Sequence, residues 1–132
     1  TVLVSNVDSS TEYDLDGFVE HHNKVEAKAS MILRKQLDTR RYGVVELGKG
    51  NRITGFSEKK RSTTNKPGWI NAGIYLFNRD CIAEFPNEVP VSLEKKILPL
   101  FVGDRLWGFP TTGKFIDIGT PESFYQADEF FK

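Results

Sequence analysis

The sequence predicts an α/β chain: a mixed sheet flanked by helices, with one antiparallel hairpin excursion. Three observations predict it. Short apolar runs of strand length alternate with segments whose apolar residues recur at helical spacing. Gly48-Lys49-Gly50-Asn51 separates two strand-like runs and reads as a hairpin turn. Hydrophobic residues make up 39% of the 132 residues, enough for one core, and the length is too short for two, so residues 1–132 read as a single domain.

The elements follow in order. Val2-Leu3-Val4 is apolar without alternation and reads as a strand buried on both faces of a parallel sheet, which suggests sequence upstream of it. Ser9 to Tyr13 is a polar turn. A short helix follows, with Asp14 or Asp16 as N-cap and Phe18, Val19 and His22 as its inner face. Ala29 to Lys35 alternates, with Ser30, Ile32 and Arg34 against Met31 and Leu33, and reads as a strand. Tyr42 to Leu47 and Arg52 to Ser57 are strands on either side of the hairpin turn. Lys60 to Gly68 is a polar loop holding Pro67. Ile70 to Phe77 is a strand, Arg79 to Phe85 a short helix, and Ser92 to Val102 a longer helix capped by Ser92. Leu106 to Pro110 and Lys114 to Ile118 are strands. Thr120 caps a last helix, with Pro121 at its first position.

Composition excludes several classes. Lys plus Arg and Asp plus Glu both number 18, so the chain lacks the basic excess of a nucleic-acid binder. No apolar run approaches the roughly 20 residues of a membrane span. The lone Cys81 has no internal disulfide partner and fits a reducing, cytoplasmic location.

Ligands of open α/β sheets bind at the carboxyl ends of strands. Three such ends carry suggestive residues: Asn6-Val7-Asp8, Glu58-Lys59, and Phe115-Ile116-Asp117-Ile118-Gly119-Thr120-Pro121. Two aspartates after two strands suit a hard divalent cation, because Mg²⁺ takes oxygen ligands. A lysine beside a glutamate suits a phosphate on a hydroxylated substrate. Each signal also has a structural reading: Asp8 ends a strand, Glu58-Lys59 is a solvated pair, Asp117 is structural. Asp14-Leu15-Asp16 has the form of a glycosyltransferase metal motif, but at a helix start it reads as capping. The adjacent His21 and His22 point to different helix faces and read as surface or partly packed. Cys81 reads as core. Lys60 and Arg61 read as solvated, and Phe124, Phe130 and Phe131 as core or interface.

Taken in order, Asn6-Val7-Asp8, Arg41-Tyr42-Gly43-Val44-Val45, Gly55-Phe56-Ser57-Glu58-Lys59, Ile70-Asn71-Ala72-Gly73-Ile74-Tyr75, Ser92-Leu93-Glu94 and Phe115 to Glu122 resemble the sugar-1-phosphate nucleotidyltransferases. The resemblance runs from Val2 to about Ala127 and is nearest the branch using mannose-1-phosphate or heptose-1-phosphate with GTP. It implies a Rossmann-like fold of which this chain is the C-terminal portion. It implies an enzyme joining a nucleoside triphosphate to a sugar-1-phosphate with release of pyrophosphate, and Mg²⁺ as cofactor. Asp8 and Asp117 resemble the metal aspartates, with carboxylates close enough to share one ion. Glu58 resembles the acid on the sugar hydroxyls and Lys59 the lysine on the sugar phosphate. Tyr42-Gly43 resembles the turn lining the sugar pocket, and Asn71 a further sugar contact, with Gly73 allowing close backbone approach. The family's glycine-rich triphosphate loop is not among these residues, and Val7 stands where the family has glycine. The chain alone is therefore expected to be inactive, and its Val2-Ser5 edge to self-associate or pair with a missing segment. The alternative is a non-catalytic sugar-nucleotide-binding or regulatory subunit on the same fold, which Val7 would suit.

Overall fold

The computed structural model describes residues 1–6, 9–39, 42–57 and 67–130, with the side chains of Ser9 and Asp117 outside that description. A ten-residue strand, β6 (Gly68–Phe77), is the spine of the main sheet. β3 (Ala29–Gln36) runs antiparallel along one edge of it, from Ala29↔Phe77 to Gln36↔Gly68. β7 (Leu106–Thr111) continues the sheet beyond β3 in parallel register, Ala29↔Leu106 to Arg34↔Thr111. The other edge of β6 is shared. β1 (Val2–Ser5) pairs with its C-terminal half, and β4 (Val44–Leu47) meets its N-terminal half at Val44↔Ile70. β5 (Ile53–Ser57) folds back on β4 through a 3-10 turn over Lys49–Asn51. A separate two-stranded sheet joins β2 (Ser9–Thr11) to β8 (Phe115–Asp117). Two helices, α1 (Leu15–Lys24) and α2 (Pro121–Phe130), complete the regular structure.

The mixed α/β class and the β4–β5 hairpin match the sequence reading, but parallel pairing is confined to β3–β7 among the described strands. β1 departs from expectation. It is antiparallel, not parallel, and it is not buried on both faces: Leu3 is 46% exposed, while Val4 packs on the core. An apolar triplet does not distinguish a two-sided strand from an alternating one when its outward residue is also apolar. Ser9 to Thr11, expected as turn, is a strand, because its partner β8 supplies pairing that local sequence does not show. The helix expected over Ser92 to Val102 divides into a π-turn at Leu93–Ile97 and a 3-10 turn at Leu98–Phe101. Pro99 has no amide proton and cannot continue the i→i−4 ladder. The Arg79–Glu84 segment is likewise 3-10.

Alternation along β3 builds two apolar layers. Ala29, Met31 and Leu33 meet Tyr75, Phe77, Ile53, Leu98 and Phe101 on one face. Ile32 meets Ala72, Ile74, Leu76 and Phe18 of α1 on the other. Cys81 is buried in the first layer, as expected. Asp14 caps α1, its Oδ1 accepting from Gly17 N at 3.0 Å. α2 buries none of its described side chains, and Phe124, expected as core or interface, is 61% exposed.

Candidate active site at the carboxyl edge

β1 and β3 run the same way, since both are antiparallel to β6, so their C-terminal ends share one edge of the sheet. The end of β5 joins it, because Ser57 pairs with Val44, which pairs with Ile70. β2 and β8 bring two further segments into antiparallel register: Ser9↔Asp117, Ser10↔Ile116, Thr11↔Phe115. Beyond the pairing, Glu12 N donates to Lys114 O at 2.7 Å and Thr11 Oγ1 to the same oxygen at 3.0 Å. Asn6, on the other side of the Val7-Asp8 step, donates its N–H to Gly73 O at 2.8 Å. Asp8 lies outside the described residues. The residues on both sides of that step are fixed by backbone bonds, and Ser9 pairs with the backbone of Asp117.

Asn71 and Gly73 form one local device. β6 bulges between Asn71 and Tyr75, where the register with β3 shifts between Met31 and Leu33. Gly73 takes φ +80°, a left-handed conformation that suits glycine. Its N–H donates to Asn71 Oδ1 at 2.8 Å, and Asn71 Nδ2 donates to Tyr75 Oη at 2.7 Å. The Asn71 amide therefore holds the bulge that presents Gly73 O to Asn6. Tyr42 sits edge-on to Phe115 of β8, ring centroids 6.5 Å apart. Gly43 packs toward the end of β5, with room there for a Cβ at 3.6 Å from Ser57 O. Glu58 and Lys59 follow Ser57 directly and lie outside the described residues, as do Lys60 and Arg61. The Tyr42-Gly43 turn thus lies against β8 through Tyr42 and beside the end of β5 through Gly43, and β8 pairs with β2.

The sequence candidates set aside as structural behave as such. Asp14 is a cap. His22, expected as surface or partly packed, is 1% exposed and hydrogen-bonded to Ser30 Oγ and Asn78 Oδ1, both at 2.7 Å. Burial holds the imidazoles of His21 and His22 below the usual histidine range. Among the described residues no group of three or more His, Cys, Asp or Glu stands ready for a metal. One charged group escaped the sequence reading. Arg34, read only as a polar position of an alternating strand, is half-buried, and its Nε and Nη1 are removed from solvent with no hydrogen-bond partner among the described residues.

Comparison with known proteins decides the family. The nucleotidyl transferase family model matches residues 1–132. The chain belongs to the nucleotidyl transferase family. The mannose-1-phosphate guanylyltransferase of Mycobacterium tuberculosis is 30% identical over 130 residues, covering 96% of this chain and 36% of that protein. Mannose-1-phosphate guanylyltransferase 1 of Arabidopsis thaliana is 33% identical over 125 residues, covering 92% and 34%. This member of the family therefore spans about a third of the length of the curated relatives it matches. A crystal structure of HddC from Yersinia pseudotuberculosis superposes with TM-score 0.79 at 31% identity, over 98% of this chain and 55% of that one. HddC has also been crystallised with GMP-PN, and that structure superposes with TM-score 0.78.

Proposed function

We propose that these residues form the sugar-binding and metal-binding portion of a sugar-1-phosphate nucleotidyltransferase, with 1–132 as the C-terminal portion of its domain. The observation that carries the reading is the β2–β8 pairing, which sets Ser9 opposite Asp117 and so brings the chain that bears Asp8 to the chain that bears Asp117. The relatives named as mannose-1-phosphate guanylyltransferases favour a hexose- or heptose-1-phosphate and a guanine nucleotide.

In the reaction an oxygen of the sugar-1-phosphate attacks the α-phosphorus of the triphosphate. A P–O bond forms, the α–β phosphoanhydride breaks, and pyrophosphate leaves. The nucleophile is already an anion, so no side chain need abstract a proton; the protein positions the reactants and balances their charge. Lys59 is assigned to the sugar phosphate and Glu58 to the sugar hydroxyls. Tyr42, Gly43 and the Asn71–Gly73 bulge wall the sugar. Asp8 and Asp117 are assigned as the carboxylates that hold Mg²⁺, whose preference for oxygen donors suits two carboxylates plus substrate phosphates. When bound, the ion neutralises phosphate charge. The residues contain no glycine-rich triphosphate loop, which supports the reading that they do not turn over by themselves. The zero net charge supports a small-molecule role over a nucleic-acid one, no described helix is long and apolar enough to cross a membrane, and the buried Cys81 thiol suits the cytoplasm.

Pyrophosphate release by the native gene product tests the proposal. Release that needs both GTP and a sugar-1-phosphate is the expected result. Nucleotide-sugar binding without release would instead identify the regulatory subunit that Val7 would suit.

A further inference from the structure

Tyr75 is fully buried in the first apolar layer, yet its hydroxyl serves a polar group: Asn71 Nδ2 donates to Tyr75 Oη at 2.7 Å. On a regular strand, residues four apart are separated by about 13 Å along the chain. The bulge shortens that path, since four steps along β6, Asn71 to Tyr75, stand against two along β3, Leu33 to Met31. Gly73 is buried at the bend with φ +80°, and its N–H donates to Asn71 Oδ1 at 2.8 Å. A buried N–H without an acceptor is costly, so the Asn71 amide fixes how the bulge is turned. Gly73 O then accepts from Asn6 N at 2.8 Å, one step past the Ser5↔Ile74 end of the β1–β6 pairing. Asn6 stands two residues before Asp8, and Ser9, on the other side of Asp8, pairs with Asp117.

A phenol in an apolar layer needs a partner for its hydroxyl, and phenylalanine would fill much the same space without that need. Packing alone does not call for a hydroxyl at position 75. What the hydroxyl does is hold the Asn71 amide by its nitrogen, so that the amide oxygen is directed at Gly73. We propose that Tyr75 is a positioning residue of the site: acting through Asn71, its hydroxyl fixes the Gly73 bulge and the Asn6 anchor, and so the entry to the segment that carries Asp8. That Asp8 is a metal ligand rests on the nucleotidyl-transfer reading. Asn71 then has a role besides the sugar contact assigned to it, with one amide hydrogen and one oxygen lone pair engaged within the bulge.

Tyr75→Phe removes the hydroxyl and keeps the ring. In the ¹⁵N-labelled 132-residue chain, hydrogen exchange of the Asn6 and Gly73 amides is measured against that of β7, which lies beyond β3 in the sheet. The variant is expected to speed exchange at Asn6 and Gly73 about three- to tenfold relative to β7, the effect of one lost hydrogen bond. Asn71→Ala is expected to do as much or more, and the double variant no more than Asn71→Ala alone, because both substitutions cut one relay. Mn²⁺, standing in for Mg²⁺, is expected to bind Tyr75→Phe at least about threefold more weakly, read from the broadening at Ser9 and Ile116. Exchange at Asn6 that keeps pace with β7 overturns the proposal, as do additive effects in the double variant or an unchanged Mn²⁺ affinity. The reading beneath it fails separately: if Mn²⁺ leaves Ser9 and Ile116 of the unsubstituted chain unbroadened, Asp8 and Asp117 share no metal, and exchange at Asn6 still decides whether Tyr75 holds the anchor.

Discussion

The Asn78 amide sets the tautomer of His22. Asn78 Nδ2 donates to Ala27 O at 3.0 Å, so Oδ1 faces His22 Nε2, which must carry the proton. Nδ1 then accepts from the Ser30 hydroxyl. A proton on Nδ1 would turn the Ser30 hydroxyl round to accept and would charge a buried ring, and that burial holds the imidazole below the usual 6.5. The sign follows: below pH 6.5 the unfolded chain takes a proton that the folded chain refuses, so stability is full above 6.5 and declines as pH falls toward the lower folded value. The urea midpoint should therefore drop between about pH 7.5 and about pH 5.5, and His22→Gln should flatten the change, leaving a remainder from His21. An unaltered midpoint would contradict it. At the proposed site, Lys59→Ala in the native gene product should weaken sugar-1-phosphate binding by about one to two decades, the value of a lost charge-assisted contact. Equal affinity would make Lys59 a bystander.

At the scale of elements, two glycines hold the corner that joins the candidate residues. Gly73 needs its positive φ, and alanine there should cost on the order of 1–2 kcal/mol while loosening the Asn6–Gly73 bond. A Cβ on Gly113 would collide with the Glu12 carbonyl, so Gly113→Ala should displace β2 from β8 at about 1–3 kcal/mol. Urea midpoints give both costs; Gly43→Ala, which has room, serves as the mild control. The same corner marks the limit of sequence reading. α1 was legible because cap and inner face are local: Asp14, Phe18, Val19 and His22 lie within nine residues of one another. β2 was not, because its three residues are all polar and what binds Thr11 lies 103 positions away at Lys114. Arg34 read as one more polar residue because alternation reports a face and not whether water reaches it.

For the whole molecule, β1 is the open question of partnership. It pairs with β6 along one edge, and among the described residues no strand lies along the other. Exposed strand edges recruit pairing from another chain. Sedimentation at rising concentration should show self-association of the 132-residue protein, and a monomer at all concentrations would count against it. The same protein should release no pyrophosphate from GTP and a sugar-1-phosphate. The family frame was legible because its motifs keep their order along the chain; the joint between its two aspartate-bearing segments was not, since only folding sets Ser9 against Asp117. That joint can be read with Mn²⁺, a paramagnetic stand-in for Mg²⁺ with the same taste for oxygen donors. Added to the ¹⁵N-labelled chain, it should broaden the amide signals of Ser9 and Ile116 together, and Asp117→Asn should abolish the effect. Broadening centred on another part of the chain, or broadening that survives Asp117→Asn, would contradict a metal site shared by Asp8 and Asp117.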